Sequence, residues 1–75
     1  MTTIIDQILI FKTNIGTVYD KLRLQNAFKA HEEIQQCNID LHDVDCVLRI
    51  VTDSLSPEQV ISIVRQLGFE CAELE

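Results

Sequence analysis

The amino-acid sequence predicts an α+β domain in which a four-stranded antiparallel sheet carries two helices on one face. Three observations lead there. Four short segments rich in β-formers, at 8–13, 37–41, 46–52 and 69–74, are bounded by turn residues or helical pattern. Two segments, beginning near Thr17 and at Pro57, carry apolar residues at helical spacing. The resulting order, strand-helix-strand-strand-helix-strand, folds as two split strand-helix-strand units. Right-handed crossovers then place the first and third strands at the centre of the sheet.

Each element has its own local signals. "ILIFKT" (8–13) is the first strand, stopped by Asn14 and Gly16. Thr17 is the expected N-cap of the first helix, with Asp20 three residues on, an echo of a capping box. Leu24, Ala27, Phe28, His31 and Ile34 recur at spacings of three and four and read as one helix face. In "CNIDL", Cys37, Ile39 and Leu41 point one way and Asn38 and Asp40 the other. "HDVD" (42–45) is a turn and "CVLRIVT" (46–52) the returning strand of an antiparallel hairpin. The second helix is the most clearly marked. Ser56 is its N-cap, Pro57 its first residue, and Gln59 completes a capping box. Val60, Ile61, Val64 and Leu67 form the apolar face, and Gly68 stops it. "FECAEL" (69–74) is the last strand, expected to turn Phe69, Cys71 and Leu74 inward. The product is a ferredoxin-like βαββαβ sandwich over a single domain, residues 1–75. Many functions use this fold, so fold alone decides little.

Composition narrows the functions. A chain of 75 residues builds one small core, burying roughly 60% of its unfolded surface. Six Lys+Arg face twelve Asp+Glu, for a net charge of -6. No basic surface can be assembled to displace counterions, so neither nucleic acid nor an anionic membrane is an expected partner. A basic protein is electrostatically acceptable. The start, "MTTIIDQILIFK", lacks a basic leader region and a small-residue cleavage site, and no stretch is long enough to span a membrane. A cytoplasmic location is the expectation. Cys37, Cys46 and Cys71 are odd in number and widely spaced, so they suggest neither a disulfide framework nor a CxxC clip. They read as small buried apolar side chains. No nucleophile–base pair and no glycine-rich phosphate loop stands out, so no enzyme and no cofactor is expected.

"SPEQVISIVRQLGFECAEL" and the "IGTVYD" loop together resemble the heavy-metal-associated domain, the module of copper chaperones and of the metal-sensing tails of transport ATPases. The resemblance runs over about residues 8–73. That family's loop reads M-x-C-x-x-C. Here Ile15 takes the methionine position, and Thr17 and Asp20 take the two cysteine positions. Leu24 and Phe28 match its apolar helix positions, with Ala27 beside Phe28. Phe69, after Gly68, matches the aromatic that packs beside the metal loop. The resemblance implies the fold, whereas the motif that would hold metal is replaced. Copper(I) takes two soft thiolates, and a threonine hydroxyl with one carboxylate supplies neither. No metal is expected at Ile15, Thr17, Asp20 or Phe69. Two other readings stay open. Atypical ligands in the turn at His42, Asp43, Asp45 and Cys46 could serve a copper-chaperone-like role in metal binding and transport. The same topology could also serve as a small-molecule regulatory module resembling an ACT domain.

The sheet face away from the helices is the expected working surface. Leu9 and Phe11 on the first strand, with Val47 and Val51 on the third, are assigned to an exposed apolar stripe that meets a protein partner or a second copy of the chain. Lys12 shares the parity of Ile8 and Ile10, so it belongs to the opposite, helix-facing side in this assignment.

Overall fold

The computed structural model describes residues 7–74; the reading of residues 1–6 as free of a leader lies outside them. Strand β1 (Gln7–Thr13) pairs with β3 (Val47–Thr52) on one side and β4 (Cys71–Glu73) on the other, and β2 (Ile34–Asp40) pairs with β3. The sheet order is β2-β3-β1-β4 and every pairing is antiparallel, with the first and third strands central. Helix α1 (Val18–Phe28) joins β1 to β2, and α2 (Pro57–Gln66) joins β3 to β4. No helix among the described residues is long and apolar enough to cross a membrane.

Both helices start where side-chain oxygens meet unpaired backbone N–H groups. The Asp20 N–H donates to Thr17 Oγ1 at 3.1 Å. At Ser56 the capping box is complete: the Gln59 N–H donates to Ser56 Oγ at 3.2 Å, and the Ser56 N–H donates to Gln59 Oε1 at 2.8 Å. Helix α2 ends in a Schellman turn. Gly68 has φ +95°, its N–H donates to the Arg65 carbonyl, and the Phe69 N–H reaches the Val64 carbonyl. Helix α1 is shorter than its apolar periodicity predicts. It ends at Phe28, and tight turns carry the chain on, with the His31 N–H on the Phe28 carbonyl and the Ile34 N–H on the His31 carbonyl. Ile34 instead opens β2 opposite Thr52, with a bulge between Ile34 and Gln36. No glycine or proline marks this end, so the pairing demand of β2 cuts the helix short. His31 keeps an apolar contact, its ring edge-on to Phe28 at 6.2 Å.

The pleat of β1 decides which residues enter the core, and it overturns the expected assignment. Phe11 is fully buried and Leu9 packs against the core, together with Leu48, Ile50 and Ile39 of the neighbouring strands and Leu24, Phe28, Val60 and Val64 of the helices. Ile8 and Ile10 face outward, at 62% and 36% exposure. The physical reason lies at the end of the same strand. Lys12 shares parity with Ile8 and Ile10, and an ammonium cannot enter an apolar core without a partner. That one charge fixes the register of the whole strand. Leu74 is also corrected: it follows Ala72 in parity, lies 37% exposed and pairs its N–H with the Ile10 carbonyl. Cys71, as expected, turns inward.

Thr52 is the one polar residue wholly inside among the described residues. Its hydroxyl donates to the Glu33 carbonyl and accepts the Ser54 and Leu55 N–H groups at 3.3 and 3.2 Å. It thereby closes the β3–α2 connection and holds the entry to β2. Two substitutions test this account by urea denaturation. Ser56→Ala should lower stability by about 1 kcal/mol. Phe11→Ala should lower it by roughly 3–5 kcal/mol, a large share of what so small a domain possesses. A midpoint unmoved by Phe11→Ala would return Phe11 to the open face.

Candidate functional site

The β1–α1 loop is built on Ile15. Its side chain is fully buried, and its N–H donates to Thr13 Oγ1 at 3.2 Å. On either side of this anchor the loop is tied to the α2–β4 turn. Asn14 Oδ1 accepts the Glu70 N–H at 2.8 Å. From the first turns of α1, the Arg23 guanidinium reaches across the same gap. It donates to the Leu67 carbonyl at 3.2 Å, stands 5.1 Å from the centroid of the Phe69 ring, and pairs with the Asp20 carboxylate at 3.9 Å. Ile15, Thr17, Asp20 and Phe69 therefore do gather at one end of the molecule.

Their chemistry is another matter. Thr17 Oγ1 already serves the Asp20 N–H, and Asp20 lies within the helix's first turn, where a carboxylate complements the dipole. The loop offers hard oxygen donors in too small a number for magnesium or calcium, which take six or more, and no sulfur for a soft ion. Val18, Tyr19 and Leu22 are well exposed around the start of α1. Helical spacing groups Val18 with Leu22, but it gave no reason to single them out.

The second candidate cluster is occupied in a similar way. In the β2–β3 turn, Asp40 Oδ1 accepts the His42 N–H at 3.0 Å and Asp43 Oδ1 accepts the Asp45 N–H at 2.8 Å. Cys46, half-buried, sits at φ +46°, in the left-handed region that non-glycine residues seldom adopt. Its carbonyl accepts the Thr13 hydroxyl at 2.8 Å and its N–H bonds the Asp43 carbonyl, so two contacts hold it there. Among the described residues, no three His, Cys, Asp or Glu side chains come together to hold a metal ion. Burial pushes the thiols of Cys37 and Cys71 from 9.0 up to about 11, with Lys21 and Arg65 respectively pulling part of the way back. Both are poor sources of thiolate at neutral pH.

A shallow groove of about 670 Å³ runs between the end of β1, the β2–β3 turn and the start of β4. Lys12 and Arg65 line it with Asp45 and Glu70. Two cations against two anions give it no preference for a charged ligand.

The open face of the sheet is laid out by the strand register. Its central row runs Asn38, Arg49, Ile10, Leu74, flanked by Gln36, Val51 and Ile8 on one side and by Asp40, Val47, Lys12 and Ala72 on the other. Val47 and Val51 lie on this face as expected. Leu9 and Phe11 do not, and Ile8 and Ile10 stand in their place.

No family model matches the sequence, and no curated protein does. Two solved structures are similar in fold. Oxidised MerP from Ralstonia metallidurans CH34 superimposes with a TM-score of 0.79 over 95% of this chain and all of that one, at 9% identity. The yeast copper transporter domain Ccc2a, solved in apo and Cu(I)-loaded states, gives 0.77 over 91% of this chain and 94% of that one, at 17% identity. At these identities the likeness concerns the fold, the ferredoxin-like sandwich expected from the element order.

The buried thiols make a pH prediction. The unfolded chain releases these protons near pH 9, whereas the folded chain holds them to about 11. Because the folded state binds more protons in that window, stability contributed by Cys37 and Cys71 is intact below pH 9 and lost as pH rises through 11. The urea midpoint should fall between pH 8.5 and 11 by this reasoning, and Cys37→Ala should flatten part of the fall. A midpoint equally pH-dependent in the variant would remove Cys37 from the account.

Proposed function

We propose that this chain is a non-catalytic domain of heavy-metal-associated type that has given up soft-metal binding and works in the cytoplasm by protein contact. The observation that carries the reading is the donor set of the β1–α1 loop. Its two ligand positions hold Thr17 and Asp20. The Thr17 hydroxyl caps α1, and the Asp20 carboxylate faces Arg23. The exposed Arg23 guanidinium over Phe69 supplies positive charge at the end of the domain where the family would place its metal. The fold has survived the exchange because the loop's anchor, Ile15, is apolar and buried. With the loop committed to structure, the surface left for function is the open sheet face, where Ile8, Ile10 and Leu74 are exposed and half-buried Val47 and Val51 precede and follow Arg49 on the strand. Exposed apolar side chains grouped on one face are a common mark of interaction sites.

Competition against a strong copper(I) chelator tests the loop. The reduced wild-type protein should bind copper(I) no better than a generic thiol peptide. Thr17→Cys combined with Asp20→Cys should create a site that competes stoichiometrically. Tight binding by the wild type that survives replacement of Cys37, Cys46 and Cys71 would overturn the reading.

A further inference from the structure

Twelve Asp+Glu and six Lys+Arg are spread over this small chain, yet among the described residues a single ion pair forms, Asp20 with Arg23. It lies at the seam between the β1–α1 loop and the α2–β4 turn. The Arg23 guanidinium does more there than meet a carboxylate. Its second terminal nitrogen donates to the Leu67 carbonyl at 3.2 Å, and its central carbon stands 5.1 Å from the centroid of the Phe69 ring. Leu67 caps the C-terminal end of α2, where the helix leaves carbonyls unpaired. The partial negative charge of that end favours a cation. Among the described residues this is the one side-chain hydrogen bond that leaves α1 for another element.

The other ties across the seam are slight. Ile15 is the loop's one buried side chain, while Asn14, Gly16 and Thr17 are exposed. On the far side Gly68 and Glu70 are exposed, and β4 spans three residues. Asn14 adds one hydrogen bond, from the Glu70 N–H. Little apolar surface is uncovered when such a seam parts, whereas parting β1 from β3 uncovers Phe11, Leu48 and Ile50. Segments with few buried apolar contacts open ahead of the rest of a domain.

We infer that Arg23 is an ionic strap: it holds the loop and the turn closed as one unit, and ionic strength sets how often that unit opens ahead of the sheet. The Arg23 side chain is 44% exposed, so dissolved ions reach the pair and screen it. The rest of the molecule responds to salt in the opposite sense. A net charge of -6 repels itself, and screening relieves that repulsion in favour of the compact state. The inference rests on the reading of this loop as structural, with Thr17 committed to capping α1 and Asp20 to Arg23 rather than to a metal ion.

Amide hydrogen exchange on the full, folded chain tests it. The seam is reported by the N–H groups of Ile15, Lys21, Phe69 and Glu70, each hydrogen-bonded in the loop or the turn. The amides of β3 are the reference. Raising sodium chloride from about 0.01 M to about 1 M shortens the screening length from roughly 30 Å to roughly 3 Å. Seam exchange should then rise about threefold to fivefold, while β3 exchange stays level or slows. Arg23→Gln at low salt should raise seam exchange by a similar factor and remove its salt response, with β3 unchanged. Seam and sheet amides that follow salt with the same sign and size would overturn the strap. So would an Arg23→Gln chain whose seam exchange is unmoved or still follows salt. The salt titration uses the wild-type chain, so it decides even where the variant folds poorly. Failure of the underlying reading is seen separately, as tight copper(I) binding at the Thr17 loop.

Discussion

Strand β1 is bonded on both edges, to β3 and to β4, and it is apolar on both faces. Which side of it enters the core cannot be compromised, because a one-residue slip reverses every side chain. Burial of Phe11 settles the matter, and the rest of the sheet follows. Leu48 and Ile50 of β3 align inward with Leu9 and Phe11, and Ile39 of β2 aligns with Leu48. Lys12 acts as the discriminating charge. The same constraint that builds the core leaves Ile8 and Ile10 in water, so the apolar character of the open face follows from where β1 sits.

Much of this was legible in the sequence. Element order, the central position of β1 and β3, the hairpin, the Thr17 cap, the Ser56 capping box and the Gly68 stop all rest on local chemistry that one strand of text contains. Two features were not legible for a definite reason. The parity of β1 is ambiguous when Ile, Leu, Ile and Phe follow one another, and only the weight given to Lys12 resolves it. The end of α1 at Phe28 is set by pairing of Ile34 with Thr52, which lies elsewhere in the chain. His31 shows how helical spacing can persist beyond a helix: it still packs on Phe28, but from a turn.

At the loop, the four positions Ile15, Thr17, Asp20 and Phe69 could be placed together from the resemblance. What holds them could not. Arg23 and Asn14 make contacts across more than 40 residues of sequence, and no periodicity announces such a contact. The Asp20–Arg23 spacing of three was the only local hint. The assembled unit joins α1, the first loop and the α2–β4 turn through backbone and guanidinium groups, a role for which a bound ion is one solution and a side chain another.

The two margins of the sheet bear on how the chain can tolerate an uncovered apolar face. At one margin β4 spans three residues; at the other β2 is interrupted by the bulge at Ile34–Gln36 and exposes Gln35, Gln36 and Asn38. Short, bulged and polar margins are poor templates for another chain's backbone. The molecule therefore resists growing sideways into a continuous fibre. Its exposed apolar side chains Ile8 and Ile10 point out of the plane of the sheet, away from the direction in which backbone pairing would discriminate against no chain.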